Sequence, residues 1–206
     1  IAEVQAGSFA TPGGDMDRYK TAARIEVIQG CMFAGKTEEL IARLRDAKTG
    51  GLRVLAFKHA IDDRYDPDHL ITHTRERFDA IRVPDVATID RMAAEADVIG
   101  IDEGHFFGRP LIDCAVRLRD RGKRVIVVGL ENDVWGRPLT PMPQLAELSM
   151  HVVSKRVPCT VCGEAARFSM RLVPVTDPTM VGGVGDYEPR CGGHFHPVSD
   201  TPPPVE

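Results

Sequence analysis

Residues 25–49, IEVIQGCMFAGKTEELIARLRDAKT, constrain the fold more tightly than any other part of this 206-residue chain. An apolar run rich in Ile and Val leads into 30-GCMFAGKT-37, which fits the pattern GxxxxGK[ST]. A helical apolar repeat at Leu40, Ile41 and Leu44 follows at once. A polyphosphate must be approached by backbone N–H groups that side chains would block, and glycines at both ends of the loop, Gly30 and Gly35, permit the tight turn. The helix beginning near Lys36 adds the positive end of its dipole. The motif assigns Gly30, Met32, Phe33, Ala34, Gly35, Lys36 and Thr37 to nucleotide binding. Lys36 is expected to reach the β- and γ-phosphates of ATP, and the Thr37 hydroxyl to sit on Mg²⁺.

The same texture recurs downstream. LRVLAF, ADVIGID and KRVIVVGL are short apolar runs bounded by Gly or charge, as buried parallel strands are. Between them RPLIDCAVRLRDRG places Leu111, Ala115 and Leu118 at helical spacing. The alternation predicts an α/β fold: a P-loop NTPase-like parallel sheet with helices on both faces and ligands at the carboxyl ends of its strands. A chain of this length holds one main domain and a small appendage. Residues 1–23, which contain a PGG breaker and no sustained period, read as a flexible arm. Residues 24–157 read as the α/β domain, 158–196 as a small C-terminal domain, and the proline-rich 197–206 as a disordered tail.

Hydrophobic residues at 43% and charged residues at 27% exclude the disordered and fibrous classes. A net charge of −4 argues against a general nucleic-acid or membrane binder and points to a small ligand. No apolar run approaches the roughly 18 residues of a membrane span, and the N-terminus lacks a charged-then-apolar signal pattern, so a cytoplasmic protein is expected.

Two further patterns carry chemistry. In 97-DVIGIDEGHFF-107 an apolar strand ends in adjacent carboxylates. Asp102 is expected to hold Mg²⁺ directly or through water, and Glu103 to act as the general base toward an attacking hydroxyl. Neighbours on a strand point to opposite sides, so the two carboxylates should have different roles. Near the C-terminus, 159-CTVC-162 and 191-CGGH-194 supply Cys159, Cys162, Cys191 and His194, a soft and borderline set that suits a closed, structural Zn²⁺ site. His196 is the alternative fourth ligand. His194 is preferred because its gap repeats that of the first pair. Cys31 and Cys114 stand alone in apolar surroundings.

The blocks GCMFAGKTEELIARLR, KHAIDDRY, DVIGIDEGHFF, GKRVIVVGLENDVWGRPLTPMPQLAELS, VPCTVCGEAARFSMRLV and VGGVGDYEPRC, in that order, resemble the type II thymidine kinases. The resemblance spans roughly residues 24–194. It implies transfer of the ATP γ-phosphoryl group to the 5′-hydroxyl of thymidine or a closely related pyrimidine deoxynucleoside, Mg²⁺ dependence, and a zinc-bearing lasso domain that folds over the base. It also implies assembly into a dimer or tetramer. By position it implies that Asp62 and Arg64 lie near the transferred phosphate, with Arg64 neutralising charge in the transition state. Met32, Phe106, Val134, Ser169 and Tyr187, with Val181, Gly182 and Gly183 of the lasso, would line the nucleoside site.

Departures from the family pattern cluster near that pocket: His105 replaces Gln, Val134 and Leu139 replace Phe, Ser169 replaces Thr, and Glu131 replaces Asp. A Phe-to-Val exchange removes about 1–3 kcal/mol of apolar contact or opens room for a bulkier base. A kinase for a modified pyrimidine nucleoside therefore stands as an alternative. A second is a P-loop ATPase whose zinc ribbon binds nucleic acid, but the segment 159–194 sets Arg167, Arg171 and Arg190 against Glu164, Asp177, Asp186 and Glu188, which is slightly acidic.

Overall fold

The computed structural model describes residues 22–62, 69–71, 76–173 and 185–197. Nearly all of the expected N-terminal arm and of the proline-rich tail lie outside them. A six-stranded sheet organises the chain. It is built from β1 (Arg24–Gly30), β2 (Val54–His59), β5 (Ile81–Val83), β6 (Val98–Asp102), β7 (Arg124–Leu130) and β8 (His151–Lys155), in the order β5-β2-β6-β7-β1-β8. Every pairing in it is parallel. Of these strands the apolar runs announce β1, β2, β6 and β7, whereas the short edge strands β5 and β8 carry too few apolar residues to read as buried.

Alternation along the strands explains the layers. Ile25 and Val27 of β1, Ile99 and Ile101 of β6, and Val125 and Val127 of β7 point to one face. There they pack on α2 (Val86–Met92), α3 (Pro110–Asp120) and α4 (Met142–Leu148) through Ile89, Leu111, Ala115, Leu118 and Leu145. Ile28, Val98, Ile126 and Val128 point to the other face and meet Leu40, Ile41 and Leu44 of α1 (Lys36–Thr49). Side chains on both faces are fully buried, which is why the central strands read as continuous apolar runs rather than alternating ones. The helix starts follow local chemistry. The N–H of Thr88 donates to the Asp85 carboxylate at 2.8 Å to cap α2, and Pro110 opens α3 where its missing N–H costs nothing.

One strand departs from this plan. Glu26 stands in the middle of β1, 2% exposed, on the face covered by α1. Its carboxylate accepts from Arg24 at 2.6 Å, from Arg43 of α1 at 2.6 Å, and from Arg124 at 2.6 and 3.1 Å. Arg24 and Arg124 open adjacent parallel strands in register, so the acid ties β1, β7 and α1 together at the amino ends of the strands. Burial alone would raise the Glu26 carboxyl, but Arg124 and then Arg24 more than reverse this and hold it at about 2.

After β8 the chain forms small antiparallel pieces: β9 (Val157–Pro158) pairs with β10 (Ala165–Ala166), and β11 (Phe168–Arg171) pairs with β12 (Tyr187–Arg190). A further pair, β3 (His69–Ile71) and β4 (Arg77–Asp79), flanks α1. The parallel order sets β7 between β1 and β6, so the loop after β1 and the acids after β6 converge at the carboxyl end of the sheet.

Candidate active site

The loop 30–37 leaves β1 where the sheet cannot accommodate a side chain. A Cβ on Gly30 would sit 2.5 Å from the Lys155 carbonyl oxygen of β8, and Gly35 turns the chain into α1 at φ 71°. Lys36, 8% exposed, reaches back over the loop, and its ammonium donates to the Cys31 carbonyl at 2.8 Å. Thr37 faces β6: its hydroxyl donates to Asp102 Oδ2 at 3.0 Å. The residues that the loop motif and the acid pair predicted separately therefore share one site.

Asp102 is the last residue of β6 and 6% exposed. Burial pushes its carboxyl up to about 7, and the charges of Glu103 and Asp62 push the same way. The Asp102 carboxylate and the Thr37 hydroxyl 3.0 Å from it are oxygen donors of the kind Mg²⁺ takes, and a dication there would offset the repulsion. Glu103 does not continue the strand. Its backbone is left-handed, φ 48°, and its N–H turns back to donate to Asp102 Oδ1 at 3.0 Å. The carboxylates diverge through this turn, not through strand alternation. Glu103 starts the 3₁₀ turn Gly104–Phe107, and its Oε2 lies 3.5 Å from His105 Nδ1. The His105 ring in turn lies 4.3 Å from that of Phe106. The N–H of Asp62 donates to the His59 carbonyl at 3.0 Å beyond β2. Arg64, Val181, Gly182 and Gly183 lie outside the described residues.

Cys159, Cys162, Cys191 and His194 form the second cluster, with ligand atoms all within 4.8 Å of one another. Sulfur–sulfur separation is 3.6 Å for Cys162 and Cys191, and the His194 Nδ1 lies 3.3 Å from Cys191 Sγ and 4.0 Å from Cys159 Sγ. The edges of a tetrahedral zinc site with these donors are about 3.6–3.8 Å, so the set fits Zn²⁺, with His194 rather than His196 in the group. Burial opposes ionisation of the Cys159 thiol, yet hydrogen bonds from the backbone of Cys191, Val161 and Cys162 outweigh it and bring the group down to about 6.

The two clusters meet. The Met32 N–H donates to the Ser169 hydroxyl of β11 at 2.9 Å, and the Cys31 thiol lies 3.8 Å from the Ala166 carbonyl of β10. Glu131, just past β7, pairs with Arg156 at 2.7 Å and Arg167 at 2.9 Å. Tyr187 of β12 is 8% exposed, and its hydroxyl accepts from Arg171 at 3.1 Å. Val134 is half-buried in the turn that Asp133 closes by accepting from the N–H groups of Trp135 and Arg137, both at 2.9 Å. The sequence reading missed the part of Cys31 altogether. The one signal available was an apolar cysteine inside a glycine-rich loop.

The family model described as thymidine kinase matches residues 23–195. The chain belongs to the thymidine kinase family. The kinase is 42% identical over 177 residues to the thymidine kinase of Rhodothermus sp. (strain ITI 518), covering 86% of this chain and 83% of that one. It is 40% identical over 183 residues to the thymidine kinase of Bdellovibrio bacteriovorus, covering 88% and 90%. With that of Coprothermobacter proteolyticus it shares 43% over 183 residues, covering 86% and 92%. Membership makes it a nucleoside kinase that uses ATP, in keeping with the phosphate loop at the end of β1. No helix among the described residues is long and apolar enough to cross a membrane.

Proposed function

We propose that the kinase transfers the γ-phosphoryl group of ATP to the 5′-hydroxyl of thymidine or a closely related pyrimidine deoxynucleoside. The observation that carries this reading is the junction of Thr37, Asp102 and Glu103, where a phosphate loop and a buried acid meet a second, more open carboxylate. The 5′-oxygen attacks the γ-phosphorus while its proton passes to Glu103. The bond from that phosphorus to the bridging oxygen breaks, and ADP leaves. Mg²⁺, when bound, neutralises charge on the phosphates. Thr37 and Asp102 would hold it. Lys36 stabilises the growing negative charge from the loop side, and Arg64 is assigned the equatorial oxygens.

The base would lie among Met32, Phe106, Val134, Ser169 and Tyr187, closed over by the lasso residues Val181, Gly182 and Gly183. Zn²⁺ on Cys159, Cys162, Cys191 and His194 is structural in this proposal, since four protein ligands leave no position for substrate. The small C-terminal domain proposed from sequence, 158–196, takes in most of the antiparallel pieces that follow the six-stranded sheet, and its boundary falls within β9. A cytoplasmic site of action and a dimer or tetramer belong to the same proposal. The β8 edge, with Val152 41% and Met150 73% exposed, supports self-association.

The test is ATP consumption against a panel of pyrimidine and purine nucleosides, with the product identified by LC-MS. A 5′-monophosphate of thymidine as the preferred product supports the reading. Preference for a bulkier modified pyrimidine moves the substrate but keeps the chemistry, and ATP hydrolysis with no nucleoside product overturns it.

A further inference from the structure

The phosphate loop and the Cys₃His cluster share a small core of their own. Cys31 at 2% and Ala34 at 4% exposure pack with Cys159 at 3% and Ala166 at 0%, and Val157 and Cys191 close the group. Two members of this core are thus residues of the nucleotide loop, and two are ligands of the cluster. The polar ties run the same way, from the Cys31 thiol toward the Ala166 carbonyl and from the Met32 N–H to the Ser169 hydroxyl. Ala166 and Ser169 sit between the two ligand pairs in sequence. The Thr160 N–H donates to the Pro189 carbonyl at 3.1 Å, and that of Arg167 to the Arg190 carbonyl at 3.0 Å, which laces this segment to β12 just before Cys191. Such a small core cannot hold so irregular a segment by apolar burial alone, because ordering costs about 1–2 kcal/mol per residue. Ligand bonds at its two ends would supply what is missing.

We propose that Cys31, Ala34 and Ser169 are positioning residues that transmit the state of the Cys₃His cluster to the phosphate loop, so that metal occupancy and nucleotide affinity are linked. The inference rests on the zinc and nucleotide assignments made above. A loop that binds phosphate through converging N–H groups must hold them together before the ligand arrives, and it does so here by leaning on the metal-fixed segment. Tying the Met32 N–H to Ser169 fixes the loop's first turn. Linkage is reciprocal: if metal strengthens nucleotide binding, nucleotide must retain metal by the same factor.

The experiment starts from the full chain with its metal, counted by elemental analysis. Zinc is then extracted with a chelator and the chelator removed. Amide hydrogen exchange is followed by mass spectrometry in both forms, and the dissociation constant of Mg²⁺–ADP is measured by calorimetry. Extraction is expected to speed exchange at residues 30–37 while β6 and β7 keep their protection, and to weaken ADP binding at least about fivefold. ADP should slow zinc transfer to a chromogenic chelator by a similar factor. Ser169→Ala in the metal-loaded protein decides the case in which extraction unfolds the whole sheet. It is expected to speed exchange at 30–37 and weaken ADP with zinc content unchanged. A chain that holds no zinc overturns the metal assignment itself. Zinc bound with loop exchange and ADP affinity indifferent both to its removal and to Ser169→Ala overturns the coupling alone.

Discussion

The Met32 N–H and the Ser169 hydroxyl, 137 positions apart in sequence, are hydrogen-bonded at 2.9 Å. One belongs to the glycine-rich turn after β1, the other to the β11–β12 pair. The proposed function assigns both to the nucleoside site, and the bond brings them together. Ser169 accepts from the loop and keeps its own O–H to donate, so one side chain serves the loop and can still address a substrate acceptor.

Ser169→Ala leaves the half-buried Met32 N–H without its acceptor, which costs about 1–3 kcal/mol. The urea midpoint of unfolding should fall accordingly, and Ser169→Thr, which keeps the hydroxyl, should restore most of the loss. An alanine variant as stable as the parent would mean that the bond contributes nothing net.

Lys36→Ala removes the ammonium that closes the loop onto the Cys31 carbonyl at 2.8 Å and that is assigned to the β- and γ-phosphates. No other cation among the described residues bonds to that loop carbonyl. Transfer should fall by at least about 10²-fold, as when a transition-state donor is lost elsewhere. The fold, read by circular dichroism and melting, should persist. Activity above about a tenth of the parent would contradict the assignment.

Glu26 makes stability depend on acid. Its folded value of about 2 lies below its ordinary value of 4.5, so the folded state favours the charged form. The stabilisation is complete above about pH 4.5 and is lost as pH falls toward 2. The depression corresponds to on the order of 3 kcal/mol. Urea unfolding of the parent and of Glu26→Gln should therefore differ most at neutral pH, with the gap narrowing on acidification through that window. A gap independent of pH would show that the amide replaces the carboxylate among Arg24, Arg43 and Arg124 at no electrostatic cost.

These three cases differ in how far the sequence announced them. The glycine-rich loop was legible because backbone geometry demands its glycines at fixed spacing, and the Cys₃His cluster because paired Cys and His spacings mark a group that could hold a metal. The four central strands were legible because burial on both faces confines polar residues mostly to their ends, as with Lys58, Asp102 and Arg124. Glu26 breaks that rule inside IEVIQ, and only the register of β1 on β7, which sets Arg24 beside Arg124, explains why it can. The edge strands β5 and β8 are short and partly exposed, so no apolar run marks them. The ties from Cys31 and Met32 to β10 and β11 join segments more than a hundred residues apart, and nothing local encodes such a contact. The divergence of Asp102 and Glu103 was anticipated from strand alternation, but its actual origin is the left-handed turn at Glu103.

That turn separates the last pair of predictions. Asp102 is buried against the Thr37 hydroxyl, whereas the Glu103 side chain is 15% exposed and turned toward His105. A general base acts only as the hydroxyl attacks, so Glu103→Gln should lower kcat by roughly 10²–10⁴ with little change in the dissociation constants of nucleoside and ATP. The amide keeps the shape and can still hydrogen-bond, but it cannot take the proton. Asp102→Asn should instead raise the Mg²⁺ concentration needed for half-maximal rate, because its carboxylate is assigned to the metal. A loose transition state, with little proton transfer at the barrier, would bring the Glu103 effect to the low end of its range. The decisive measurement is kcat for both variants beside separately determined Kd values. Glu103→Gln with near-normal turnover, or with a loss confined to nucleoside affinity, would make Glu103 a residue that positions the sugar and leave the proton to solvent.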